Sequence, residues 1–369
     1  MRLGIVELYC GVSGKKGFYN SQEVGLARAM KRFGYEMFIF YPDVTSKKVV
    51  EEFVEQGVTI VRVPAQHIGV HSRFDWRIFS KYRLDVVQIN GDNQLWVPEC
   101  VKFCEDNDIK IYYYLGTLES DSSNKIKKYI LQMLAQRNLK CYARHKCFVK
   151  TEAVKEKLKQ LAIKEVEVAP VGLDTAIIPS ITENKVMLRE KLSIPVDATA
   201  ILFVGRLEPY KRPEEAVELM HMMQEQKNIV LIMIGTGSLD ERIANLITQY
   251  GLKERIKRIK EIPNIKIHEY YAACDFFVNF NDHEIFGMSI LEAMYQGCTV
   301  IARHAPGPDS IIENNVDGYL IDDLFKIKEL IDNKMILPTM RVKDKIEANF
   351  IWENTAAILE QWMCNNFEC

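Results

Sequence analysis

Two glutamates with seven residues between them, Glu284 and Glu292, fall in the stretch Asn281–Ala302 (NDHEIFGMSILEAMYQGCTVIA), which holds most of the chemistry legible in this chain. An apolar run, Phe276–Phe280, enters a polar elbow at Glu284. A helix is predicted to start near Met288, Gly297 to end it, and a β-branched strand to follow, making one βαβ unit. The backbone N–H groups around Gly287, Met288 and Ser289 would then lack intrahelical partners and sit at the positive end of the helix dipole. Such an end binds anions, phosphate above all. A second reading of the same residues is local: Ser289-x-x-Glu292 fits a capping box, in which the Glu reaches back to the cap N–H and touches no ligand. Upstream, the apolar strand Thr199–Val204 opens into Gly205-Arg206-Leu-Glu-Pro-Tyr-Lys211. A guanidinium offers a forked contact and an ammonium a point charge, so the pair could neutralise charge growing on a departing diphosphate. Taken alone, a solvated loop with two bases explains it better.

Strands alternate with helices through both halves, which predicts parallel sheets covered on both faces, with ligands beyond the carboxyl ends of the strands. The chain opens with a strand over residues 2–8, a glycine-punctuated loop containing Gly11, Gly14 and Gly17, and a helix from about Asn20 to Phe33. That loop is neither a P-loop nor a dinucleotide fingerprint. Expected next are a strand at Met37–Tyr41, a helix at Lys47–Glu55, strands at Thr59–Val63 and Asp85–Asn90, a helix at Pro98–Asp106 and a strand at Ile109–Leu115. The forward edges to watch are Asn90-Gly91-Asp92 and Leu115-Gly116-Thr117. A linker is expected over 175–185, where Pro179 and small polar residues break the periodicity. Later elements are strands at Ile229–Ile234 and Ile256–Ile262, a glycine-proline loop at His304–Ser310 and a terminal helix opened by Phe350 and Trp352. Asp106-Asn107-Asp108 precedes a strand and reads as a turn rather than a metal site. His67 and His71 lie in a stretch, Pro64–Arg73, that reads as a loop, so a zinc pair is not expected.

With 369 residues and 48% hydrophobic content the chain can bury two α/β cores. A formal charge of -2 gives no reason to expect nucleic-acid binding. There is no apolar run of eighteen residues and no leader pattern, and the nine scattered cysteines form no C-x-x-C pair; a cytoplasmic protein with reduced thiols is expected. Charge is uneven. Lys125–Lys150 carries eight Lys/Arg and no acid, leaving 40 basic against 50 acidic residues elsewhere. A basic amphipathic helix there suits either peripheral attraction to an anionic membrane surface or phosphate-bearing acceptor, or a solvated face with packed Lys and Arg stems; the second is the simpler.

The run Glu284-Ile-Phe-Gly-Met-Ser-Ile-Leu-Glu292-Ala-Met resembles the paired-glutamate signature of the retaining family 4 glycosyltransferases of GT-B fold. Gly205-Arg206 with Lys211 resembles the same family's cation pair, Ala169-Pro-Val-Gly-Leu-Asp174 its domain-exit segment, and Gly17 through Glu36 its acceptor-side glycine loop and first helix. The resemblance covers nearly the whole chain and is tighter in the second half. It implies two Rossmann-like domains with parallel sheets facing a central cleft: an acceptor-binding domain over 1–176, a donor-binding domain over 177–349, and a helix over 350–369 crossing back. It implies further that Glu284 contacts the donor sugar, that Arg206 and Lys211 stabilise the leaving diphosphate, and that Glu292 holds the ribose. Gly205, Ile262, Phe286, Gly287, Met288 and Ser289 would complete the nucleotide site, while Gly14, Gly17, Asn90 and Gly116 would border the acceptor. Family members often carry His where Asn90 and Gly116 stand here, and Glu where Ser310 stands. No metal or other cofactor is implied. The implied reaction moves a sugar from a nucleotide diphosphate sugar, a UDP-sugar before others, to a glycan, lipid-linked or other hydroxyl acceptor, as in polysaccharide or glycoconjugate synthesis. Competing readings are a non-catalytic nucleotide-sugar-binding subunit and a nucleotide-sugar epimerase of the same fold.

Overall fold

The computed structural model describes residues 1–10, 21–118, 125–338 and 340–367. They form two compact units, Met1–Asp174 with Ile351–Cys369, and Thr175–Phe350. Gly14 and Gly17 lie outside the described residues. Both units are Rossmann-like, consistent with the GT-B architecture.

The first unit is built on a nine-stranded sheet: β1 (Arg2–Glu7), β2 (Glu36–Asp43), β3 (Val50–Glu55), β4 (Val58–Ile68), β5 (His71–Phe74), β6 (Val86–Asn90), β7 (Lys110–Leu115), β8 (Lys146–Val149) and β9 (Val166–Val168). Its order is β3-β4-β2-β1-β6-β7-β8-β9, with β5 paired to β4. The strands from β4 through β9 are parallel along this path, and the centre is a continuous apolar layer of Leu3, Ile5, Phe40, Val87, Ile89, Tyr113 and Leu115. Helices α1 (Gln22–Lys31), α2 (Val97–Asp106), α3 (Lys125–Tyr142) and α4 (Glu152–Gln160) connect them. Ser21 caps α1 and Thr151 caps α4 through side-chain oxygens, the expected residue types for those places.

Two expectations fail here. Lys47–Glu55 does not form a helix: Val50–Glu55 is an edge strand, antiparallel to β4. Gly57, at φ +82, makes the turn that folds it back. Pro64–Arg73 is not a loop either, because Ala65–Ile68 pairs antiparallel with His71–Phe74 across Gly69. The terminal helix, Trp352–Asn366, packs within this unit. The Trp352 indole is only 2% exposed and so close to α1 that a Cβ on Gly25 would stand 2.3 Å from its Nε1, and Arg32 pairs with Glu353 at 2.7 Å. Of the basic island, Arg144 pairs with Glu105, Lys146 with Glu167, and Lys150 donates to Gln22 Oε1 at 3.0 Å. Tyr129, Met133, Arg137 and Lys140 are exposed on α3. Among the described residues the cysteines are free thiols, all buried except Cys364, and no helix is long and apolar enough to cross a membrane.

The second unit holds six parallel strands in the order β12-β11-β10-β13-β14-β15: β10 (Thr199–Val204), β11 (Ile229–Ile234), β12 (Ile256–Ile259), β13 (Phe276–Asn279), β14 (Thr299–Ala302) and β15 (Tyr319–Leu320). Its helices include α5 (Lys185–Lys191), α6 (Pro213–Met222), α7 (Asp240–Gln249), α8 (Asn264–Ala273), α9 (Met288–Tyr295) and α10 (Pro306–Ile311). β12 ends three residues before Ile262, which precedes the Pro263 cap of α8. The His304–Ser310 loop is corrected to a short helix from Pro306, since proline's fixed φ suits the first helical position.

Candidate functional site

In the second sheet β10 lies beside β13, and the strand order reverses between them. Open parallel sheets bind ligands beyond the carboxyl ends of the strands at such a point. The loops leaving these two strands carry Gly205–Arg212 and Phe280–Gly287.

Lys211 closes a 3-10 turn, Pro209–Lys211, and its Nζ lies 2.5 Å from Glu284 Oε2. The same oxygen accepts from Asn279 Nδ2 at 3.3 Å and Asn281 Nδ2 at 3.2 Å. Burial alone would raise the Glu284 carboxyl, but the ammonium of Lys211, helped by the two amides, holds it below the ordinary carboxylate range. Glu284 is therefore an ionised group fixed by three donors. Its backbone carbonyl accepts from Gly307 N–H at 2.9 Å, which pins the elbow to α10.

α9 begins at Met288 with Gly287 as its cap, at φ +100, and no side chain satisfies the helix end. A Cβ at Gly287 would meet Ile290 Cδ1 at 2.9 Å, so the turn requires glycine for space as well as for its backbone angle. Ile290 and Leu291 N–H both return to Gly287 O, whereas Met288 and Ser289 N–H have no partner among the described residues. The capping-box reading fails: Ser289 stands inside the helix rather than at its cap, and Glu292 turns away from it. Glu292, 5% exposed, accepts from Asn264 Nδ2 at 3.3 Å and from the Tyr271 hydroxyl at 3.2 Å, both on α8. Burial first, and then the Glu292 carboxylate, raises the Tyr271 hydroxyl well above its ordinary value. The helix closes with Cys298 N–H on Ala293 O and Gly297 at φ +80, so Gly297 ends it as expected.

The two cations are placed differently. Arg206 is exposed and donates to the Tyr210 hydroxyl at 2.5 Å, with its Cζ 5.5 Å from that ring. Lys211 Nζ lies 5.6 Å from the same ring, so Tyr210 stands against both. Gly205 N–H bonds Ile234 O at 3.0 Å, and a Cβ on Gly235 would fall 1.9 Å from Gly205 O. The backbones of these two forward loops touch, and Glu208 binds Ser238 Oγ at 2.6 Å to lock them. Phe286 is buried, its ring 6.2 Å from Phe350; only its backbone can face a ligand, and its side chain anchors the elbow. Ile262 is half-buried and lies outside the sheet. Ser310 bonds Gly307 O within its own helix.

Sequence reasoning missed Asn279, Asn281, Tyr210, Asn264 and Tyr271. A signal existed for the first two: an Asn-Phe-Asn triplet closing an otherwise apolar strand must bury amides, and these are 6% and 3% exposed. Buried amides need partners. Asn264 and Tyr271 gain their roles only when α8 packs beside α9.

In the first unit, Asn90 and Gly116 stand at the carboxyl ends of β6 and β7. Asn90 lies opposite Glu7 in register, and Gly116 N–H caps Asp92 Oδ1 at 2.8 Å.

Residues 185–336, less than half of the chain, match the family model described as Glycosyl transferases group 1. Among curated proteins, the D-inositol 3-phosphate glycosyltransferase of Xylanimonas cellulosilytica is 27% identical over 166 residues, 43% of this chain and 40% of that protein. The enzyme of the same name from Thermobispora bispora is 25% identical over 216 residues, 52% and 50% of the two chains. The chain thus spans at most about half the length of these curated relatives. Among solved structures, sucrose-phosphate synthase from Thermosynechococcus elongatus superposes with a TM-score of 0.82 at 17% identity, covering 99% of this chain and 98% of that one. Anabaena Alr3699/HepE in complex with UDP-glucose gives 0.75 at 17% identity, covering 99% and 100%. These likenesses carry the GT-B fold.

Proposed function

Proceeding from a GT-B fold whose second unit matches the group 1 glycosyltransferases over residues 185–336, we propose that this protein transfers a sugar from a nucleotide diphosphate sugar to a hydroxyl acceptor. Within that reading we assign it to the retaining family 4 enzymes, with a UDP-sugar the first donor to try. The observation that carries the proposal is the Lys211–Glu284 pair held at a switch point beside the open amide end of α9.

The pair explains how charge would be handled. An incoming diphosphate competes with Glu284 for Lys211, and the Met288 and Ser289 N–H groups offer a second contact at the helix end. As Lys211 turns to phosphate, the Glu284 carboxylate is released to accept from the donor sugar's hydroxyls, still oriented by Asn279 and Asn281. Positive charge fixed where the leaving group gains negative charge lowers the barrier without a metal. Glu292, fixed by Asn264 and Tyr271, accepts from the ribose hydroxyls in this reading. Arg206 swings from Tyr210 to make a second phosphate contact, which its exposure allows.

The exposed Tyr129, Met133, Arg137 and Lys140 share one face of α3. They support peripheral contact with an anionic membrane, and co-sedimentation with vesicles of phosphatidylglycerol tests that part.

The reaction is tested by incubating the protein with UDP-glucose and UDP-galactose and a mixture of methyl glycosides, following nucleotide release and product anomer by NMR. A product with the donor's anomeric configuration is expected. An inverted product removes the family 4 assignment; nucleotide-sugar interconversion without acceptor supports an epimerase instead.

A further inference from the structure

Two ion pairs side by side join the loop after β10 to the elbow after β13. Lys211 meets Glu284 at 2.5 Å, and its neighbour Arg212 donates from Nη2 to Asp282 Oδ2, two residues before that glutamate. The near half of the β10 loop is fastened elsewhere, to the loop after β11, by Leu207 N–H on Thr236 O and by Ser238 Oγ donating to Glu208. The far half, Pro209 to Arg212, reaches the elbow through the two pairs. Arg212 also donates to Glu215 Oε1 at 3.2 Å, and Glu215 Oε2 lies 2.6 Å from Arg303 Nη2. Arg303 follows β14, and its N–H bonds the carbonyl of Asn279 at 3.0 Å, the residue whose amide holds Glu284. One guanidinium is therefore the joint of a charged chain across the forward loops of β10, β13 and β14.

The backbone at this joint is unusual. Arg212 sits at φ +48 and ψ 50, a left-handed angle that suits glycine and strains a side chain. It closes the 3-10 turn and precedes Pro213 at the start of α6 without any side-chain bond to the helix end. The pair with Asp282 is partly open to solvent, with the two side chains 38% and 32% exposed, and pairs of that kind add little stability. Strain that is not offset by stability is the pattern found where a loop must be held in one place for function.

Resting on the transferase reading, we propose that Arg212 is a positioning residue: its pair with Asp282 keeps the far half of the β10 loop against the elbow while Lys211 exchanges Glu284 for the departing diphosphate. Without it, Lys211 would leave its carboxylate and lose its place together. Fixed positive charge counts most as negative charge grows on the leaving group, so Arg212 acts on turnover more than on donor affinity. Its removal strands no acid, because Asp282 Oδ1 keeps His283 Nδ1 at 2.9 Å and Glu215 keeps Arg303.

Two measurements test it. The first needs no substrate and follows hydrogen–deuterium exchange in the segment Arg206 to Arg212. With one pair left the far half stays tied, so Lys211→Ala and Arg212→Gly alone should exchange within about threefold of the unsubstituted protein, and the double variant at least about tenfold faster. If Arg212→Gly adds no acceleration to Lys211→Ala, the strut does not exist. The second is kinetic, using the UDP-sugars and methyl glycoside mixture. Arg212→Gly should lower kcat about tenfold with donor KM within about threefold, and Asp282→Asn should match it, with the combined variant no worse than either. Arg212→Lys, a cation at the same backbone angle, should recover most of the loss. The melting temperature of Arg212→Gly should stay within about 3 °C, since glycine suits the angle and no acid is stranded. A raised KM in Arg212→Gly with full turnover in Asp282→Asn would make Arg212 a direct phosphate contact and overturn the positioning role. The exchange pattern without any UDP binding or turnover leaves the strut standing and removes the transferase reading.

Discussion

The two units present the same topological feature with opposite electrostatics. At the β10/β13 reversal an ammonium, two amides and open helix N–H groups gather around one carboxylate, and Glu284 stays below its ordinary value. At the β1/β6 reversal two carboxyls face each other across one amide, and Glu7 is forced up to about 8. Topology supplies the crevice in both cases; side chains decide what it accepts. A cation-lined crevice at a helix end suits diphosphate, whereas crowded carboxyls relieve their repulsion by holding a proton.

The comparison breaks first at Lys211. Lys211→Ala should lower turnover by about a hundredfold, the usual loss on removing a group that stabilises developing charge, as read by nucleotide release. Unchanged turnover would reduce the pair to a structural ion pair. Next comes Gly287→Ala, which forces a side chain into φ +100 and against Ile290. It should cost about 1–2 kcal/mol in denaturant titration and weaken nucleotide binding together. Full stability would show that the turn does not need glycine.

Smaller, but more specific, is the response to pH. Glu7 has an ordinary value of 4.5 and a folded value of about 8, so between them the native state holds a proton that the unfolded chain has released. Its contribution is fully present below pH 4.5 and disappears as pH rises through about 8. Glu284, depressed on folding, contributes in the opposite sense: present above its ordinary value and lost on acidification through the folded value. Glu7→Gln should therefore flatten the fall in melting temperature between pH 5 and 8 and raise it by about 2 °C at pH 8. Glu284→Gln should instead lower it at neutral pH and change little in acid. Parallel curves for the two variants would erase the contrast.

How much of this was visible in the sequence varies with how local the cause is. β10 and β11 are unbroken apolar runs, and the αβ alternation around them reads directly. The order Glu284, Met288, Gly297 also marks its elbow, helix start and C-terminus correctly. Val50–Glu55 misleads because Val50, Phe53 and Val54 have helical spacing among charges, while the deciding partner is β4, reached through Gly57. Ser289-x-x-Glu292 misleads likewise: the capping pattern is real, but Asn264 and Tyr271 on α8 outbid it. The acid pair at the first switch point is the least legible, since Glu7 on β1 and Glu23 on α1 share no motif.

On the proposed reading, the second unit binds a nucleotide diphosphate through Glu292 and the Lys211 loop. Calorimetric titration with UDP, GDP and ADP, with and without EDTA, measures it before any acceptor is known. One nucleotide should bind at about micromolar strength, indifferent to EDTA, and fail to bind the Glu292→Ala protein. Absence of binding by all three, or undiminished binding in Glu292→Ala, would contradict the account.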